Sequence, residues 1–146
     1  EESPGGSGWT MPPSSAGEPS LDRAAQLIQA LSQGYDQNVV LRCGSAGALA
    51  MGKSMAGTGG GALHVPAFFN DVLDSTGCGN AFLGAFQGTL LTTGDVCWAL
   101  AMGSSAASIM GEYAGVPQLK RAEDMGKYQE VAHERARQLQ KKIRQL

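Results

Sequence analysis

A chain of 146 residues, 42% of them hydrophobic, has the size and composition of one folded domain with a modest core rather than of a disordered segment. Its formal charge of −2 gives no electrostatic ground for a nucleic acid or an acidic membrane surface as partner. No run reaches the length of a membrane span, and no signal-peptide pattern opens the chain. The three cysteines, Cys43, Cys78 and Cys97, are odd in number and form no C-x-x-C pair, and His64 and His133 stand far apart. This speaks against a structural zinc site or a disulfide framework and for small buried thiols in a reducing, intracellular setting, cytoplasmic or within an organelle such as a plastid or mitochondrion. A start at Glu1 rather than Met leads us to expect a processed chain or a piece of a longer one.

In chain order, residues 1–19 are rich in Gly, Ser, Pro and Glu and read as a flexible linker or arm. Ser20 is placed to cap a helix whose apolar residues, Leu21, Ala24, Ala25, Ile28 and Leu31, recur at helical spacing, with Gly34 as its stop. Asn38 to Cys43 reads as a strand, Gly44 to Gly47 as a tight turn and Ala48 to Met51 as a second strand. After the Gly-rich loop Gly52 to Gly61 comes a short strand at Leu63 to Val65. Phe68 to Asp74 is expected to be extended. Asn80 to Leu91, apolar around most of its circumference, is expected to be a buried helix, and Val96 to Tyr113 a further helix rich in Ala, Gly and Ser. Residues 20–119 thus form the domain, and 120–146 a C-terminal amphipathic helix. That last segment holds eight of the 11 Lys and Arg residues, and its apolar positions run from Met125 to Leu146 at spacings of three and four. Its basic face is either solvated or offered to a partner.

Gly47 to Ser54 (GALAMGKS) satisfies G-x-x-x-x-G-K-[ST] literally. A phosphate-cradling loop needs a strand before it and a helix after it. Here Ala48 to Met51 is itself strand-like and the residues after Ser54 are too Gly-rich to open a helix. Lys53 is therefore a loop residue and the match is set aside.

The chemistry-bearing stretch is Asp74 to Phe82, DSTGCGNAF. An extended segment ends in an acid, a Gly-rich turn follows, and a helix begins. Backbone N–H groups of Gly77, Cys78 and Gly79 at that helix start make a site for an anion, above all for charge developing on a transferring phosphoryl group. The order of residue types resembles the second signature of the pfkB/ribokinase-like carbohydrate kinases, D-T-x-G-A-G-D-A-F. Asp74, Gly77, Gly79, Ala81 and Phe82 match outright, and Ser75 replaces Thr. Upstream, VVLRCGSAGAL (Val39 to Leu49) is similar to that family's strand–turn–strand. Downstream, the helix from Ala99 to Tyr113 and the turn AGVPQL (Ala114 to Leu119) are similar to the elements that close its nucleotide pocket.

The resemblance, over Leu21 to Leu119, implies an α/β fold of the ribokinase-like, Rossmann-like three-layer type, present as a C-terminal half. It implies MgATP and a monovalent cation as cofactors and a sugar-like alcohol as acceptor. By position, Gly77, Cys78 and Gly79 form the anion hole, Asp74 and Thr76 lie at the cation site, and Gly44, Gly47 and Ser104 line the nucleotide. Asp74 has the plainer alternative of capping its turn. The family's general base falls on Asn80, whose carboxamide takes no proton at neutral pH, a loss of about 10²- to 10⁴-fold in rate. Arg42 stands where a small hydroxyl residue is common, and Ser104 where an Asn is usual. The N-terminal half that carries most of the sugar site and the lid has no counterpart in residues 1–34, so the missing half or other protein subunits are the expected partners. The leading expectation is a catalytically impaired pfkB-like domain acting as a structural or regulatory component of an assembly. An active sugar kinase completed by another segment and a nucleotide-binding sensor are the alternatives.

Overall fold

The computed structural model describes residues 20–35, 37–52, 55, 60–118 and 122–146. The expected 1–19 arm, and Lys53 and Ser54 of the P-loop match, lie outside the described residues.

Helix α1 (Leu21–Tyr35) starts where Ser20 Oγ accepts the Arg23 N–H at 3.3 Å. Its buried stripe, Ala24, Ile28 and Ser32, repeats every four residues and packs on the first two strands. Strand β1 (Val39–Arg42) turns through a short 3₁₀ segment, Gly44–Ala46, into β2 (Ala48–Met51), and β3 (Leu63–Val65) follows. All neighbours are antiparallel, with Arg42 opposite Ala48 and Ala48 opposite Val65. Every residue of β2 is buried because the sheet is covered on both faces. Leu49 and Met51 meet α1 at Ile28, while Ala48 and Ala50 share a cluster with Leu100 and Val65. The domain is therefore a three-layer α/β sandwich.

The second helical layer comprises α2 (Cys78–Thr93), α3 (Val96–Gly111) and α4 (Ala122–Gln140). Gly94, at φ 69°, closes α2 with its N–H on the Leu90 carbonyl at 2.8 Å. One residue on, the Asp95 side chain caps α3 by accepting the Trp98 N–H at 2.9 Å. Helix α3 is the centre of this layer, touching α2, α4, β2 and β3. Its small residues permit close approach: a Cβ on Gly103 would stand 3.0 Å from the Phe82 ring. Ser105 Oγ donates to the Ala132 carbonyl at 2.8 Å and ties α4 on.

The structure differs from three expectations. Helix α2 is not buried all round: within it only Phe82 and Phe86 are buried, and residues 80, 83, 84, 87, 88 and 91 form an exposed stripe, with Leu91 87% exposed. Among the described residues it packs chiefly against α3, so a helix of apolar composition keeps one bare face. The C-terminal helix also stops early, at Gln140. Ile143 then packs against the core and β4 (Arg144–Gln145) pairs antiparallel with β3, Leu63 opposite Gln145. Nor is the charge of α4 all at a basic solvent face. Arg135 turns inward, and Arg137 lies 3.5 Å from Glu134.

Candidate functional site

A cleft of about 730 Å³ opens between the β1–β2 turn, the start of α2, α3 and the segment after β3. Two of its walls come from the glycine turns singled out in the sequence. In the β1–β2 turn, Cys43 donates its N–H to the Gly47 carbonyl at 2.8 Å and Gly47 donates to Gly44 at 3.1 Å. Gly47 (φ 97°, ψ −137°) occupies a conformation open to glycine, and a Cβ there would run into the Val65 carbonyl and the Pro66–Ala67 backbone. Gly44, Ser45 and Gly47 all line the cleft.

At the start of α2, Gly77 takes φ 84°, and the Met110 side chain fills the space where its Cβ would be. No side chain caps this helix. The Cys78 N–H donates to the Ser75 carbonyl at 3.2 Å, whereas the Gly79 N–H has no backbone acceptor among the described residues. The turn therefore leaves a free donor at Gly79, while that of Cys78 is spent locally. Cys78 and Gly79 line the cleft; Gly77 stands behind them as the pivot.

Arg42, the last residue of β1, also lines the cleft, and its guanidinium packs on Gly79, in the space that a side chain at that position would take. A cation set against the positive end of a helix is unfavourable by about 0.3–1 kcal/mol unless an anion sits with them. The residue that looked like a mere departure from the motif thus places positive charge at the expected anion position.

Asp74 and Thr76 face one another rather than the cleft. Asp74 Oδ1 accepts the Thr76 N–H at 2.8 Å, and that bond, followed by the Thr76 hydroxyl and the Gly115 N–H, holds the Asp74 carboxyl below its usual range. This geometry is that of a turn cap. The Cys78 thiol donates weakly to the Asp74 carbonyl at 3.9 Å, and burial, then the Asp74 charge, push its pKa up. Burial likewise raises the Cys43 and Cys97 thiols. Asn80 sits exposed in the first turn of α2, its N–H on the Gly77 carbonyl at 3.0 Å.

Ser104 lines the cleft from α3, but its hydroxyl is engaged, donating to the Pro66 carbonyl at 3.0 Å. This is one of several ties on the segment after β3. Asn70 Nδ2 donates to the Ser108 carbonyl at 2.9 Å and to Glu112 Oε1 at 3.1 Å. Arg135 donates to Ser108 Oγ at 2.9 Å and to Glu112 Oε1 at 2.7 Å, and its guanidinium lies 4.8 Å from the Phe68 ring centre. No local sequence signal points to this network, because its hydrogen-bonded pairs lie 23 to 42 positions apart and Arg135 sits in a run of charges that reads as solvated.

The layer order and the strand–turn–strand beside a glycine-started helix define a ribokinase-like fold. The crystal structure of a ribokinase from Thermotoga maritima superposes with a TM-score of 0.50 at 23% identity, covering 72% of this chain and 40% of that one. The chain thus corresponds to less than half the length of that ribokinase. Residues 14–120 match the pfkB family carbohydrate kinase pattern, and the chain belongs to that family.

Proposed function

We propose that this chain is the nucleotide-side portion of a pfkB-type carbohydrate kinase that has lost its general base and serves as a structural or regulatory component of a larger assembly. The observation that carries the reading is Asn80, exposed in the first turn of α2 where the signature places the catalytic acid. A carboxamide there can hydrogen-bond an acceptor hydroxyl but cannot take its proton, which forfeits about 10²- to 10⁴-fold.

Nucleotide binding is part of the same proposal. The cleft is of ligand size. The free Gly79 N–H, the α2 dipole and the Arg42 guanidinium converge where a phosphate chain would end, and the open space over Gly44 leaves room for a base and ribose along the turn. ATP would supply the phosphoryl group, and Mg²⁺ bound mainly by its phosphates and water would need few protein carboxylates. Asp74, committed to Thr76, fits a turn cap better than a free cation ligand, so a monovalent cation there would have to share it.

The acceptor side must come from elsewhere, from an N-terminal half or another subunit. In support, β1 is an edge strand among the described residues, the α2 stripe is bare, and Phe69 is 97% exposed. No helix among the described residues is long and apolar enough to cross a membrane, and an intracellular setting is part of the proposal. Thermal melts with and without MgATP test it. At about 100 times the dissociation constant, ATP should add roughly 2.7 kcal/mol of stability with no phosphoryl transfer to a sugar. An unchanged melt would remove the nucleotide from the account.

A further inference from the structure

His64 lies in the middle of β3, 4% exposed, and takes no part in the chemistry described above. It stands on the α1 side of the sheet, opposite Leu49 of β2 and Arg144 of β4. Its Nε2 is 2.7 Å from the Ala46 carbonyl oxygen, which can only accept, so Nε2 carries the hydrogen and donates. In the neutral ring Nδ1 is then a lone pair, buried and without a partner among the described residues. A buried acceptor without a donor is a standing cost in a core. An apolar side chain would carry no such unpaired acceptor, so the one bond that His64 does make is the feature that distinguishes it.

That bond falls on the β1–β2 turn. Inside the turn the N–H groups of Ala46 and Gly47 are used locally, on the Cys43 and Gly44 carbonyls. The Ala46 carbonyl is held from outside by His64, and the next residue, Gly47, is seated without clearance on the carbonyl of Val65. Two successive residues of β3 therefore grip two successive residues of the turn, one by a hydrogen bond and one by contact. The turn presents Gly44, Ser45 and Gly47 to the cleft.

We propose that His64 is a positioning residue for the cleft: its Nε2–H fixes the Gly44–Gly47 turn in the shape that the ligand meets. The link to ligand affinity rests on the nucleotide reading given above; the control of turn geometry does not. Imidazole ¹⁵N shifts of the unchanged chain should show the hydrogen on Nε2, and an Nδ1–H tautomer would overturn the proposal without any variant being made. His64→Leu removes the donor and His64→Gln keeps one at similar reach. Amide hydrogen exchange at Cys43 and Gly47 should run roughly three- to tenfold faster in H64L, at the scale of one lost hydrogen bond, and return toward the original rate in H64Q. Equal acceleration along the whole sheet, or no difference between the variants, would show a packing role only. ATP titrations of the three proteins give the second arm: H64L should bind several-fold more weakly and H64Q nearly as well as the unchanged chain. Equal affinities would overturn the link to the cleft. If the unchanged chain binds no ATP, the nucleotide reading and that link fail, while the exchange rates still decide whether His64 sets the turn.

Discussion

Replacing Gly47 by alanine should damage this protein far more than the same change three residues earlier. Gly44 has φ 56°, in the left-handed region, and a Cβ on it would meet nothing within 4 Å. An alanine there costs about 1–2 kcal/mol in backbone conformation, reduced by about 0.4–1 kcal/mol through the stiffer unfolded chain. Gly47, at φ 97° and ψ −137°, lies in no basin of an L-residue, at about 1–3 kcal/mol. Its Cβ would also overlap backbone atoms of Val65, Pro66 and Ala67, which cannot rotate away as a side chain would. Overpacking of that kind adds about 1–3 kcal/mol. Gly47→Ala should therefore cost about 2–5 kcal/mol and Gly44→Ala about 1.6 kcal/mol or less. With a urea slope of about 2 kcal/mol/M, the G47A midpoint should fall by roughly 1–2.5 M and the G44A midpoint by no more than about 0.8 M. Equal midpoints for the two variants would refute the close seating of the turn on β3, and with it the shape of that cleft wall.

Arg135→Ala should cost about 1–3 kcal/mol in urea unfolding, because Glu112 and Ser108 lose a charged donor, and it should speed exchange in residues 66–74; Arg135→Lys should recover little, since one ammonium cannot serve both partners and the Phe68 face. Asp74 has a folded-state pKa below its unfolded value of about 3.9, so its contribution is present above that value and lost as pH falls through the folded pKa. The stability gap between the unchanged chain and Asp74→Asn should accordingly close in acid, and a gap that widens on acidification would contradict the Thr76 bond as its cause. Arg42→Ser should weaken ATP binding about tenfold and flatten its salt dependence; a tighter complex would mean that the guanidinium fills the anion position instead of completing it.

The strands and turns beside the cleft were legible because glycines punctuate them. Ala48–Met51 and Leu63–Val65 are bounded by Gly47, Gly52 and Pro66, and Gly77 and Gly94 mark the two ends of α2. What failed was anything that depends on which surface covers which. The composition of α2 reports that it is apolar, not that it packs chiefly against α3, so the expectation of a buried helix places Leu83 and Leu91 in a core that does not reach them. The pairing of Arg144–Gln145 with β3 joins residues about 80 positions apart through a two-residue strand, too short to carry a periodic signal. Arg42 was read as a departure from a motif because its chemistry shows only once β1 and α2 are side by side. The same holds for Ser104 and Asp74, whose polar atoms turn out to be engaged with Pro66 and Thr76.

On the proposed reading, phosphoryl transfer fails at Asn80 while the surrounding site persists. Its most direct measurement is sugar-dependent phosphoryl transfer from MgATP by the protein in its complete assembly, unchanged and as Asn80→Asp. The substitution restores a carboxylate at nearly constant shape on an exposed first-turn position, where it also suits the helix dipole. The account predicts turnover near background for the unchanged protein and a gain of at least about tenfold for N80D. Brisk turnover by the unchanged protein would contradict it, since a carboxamide would then be supporting the very step from which it has been excluded.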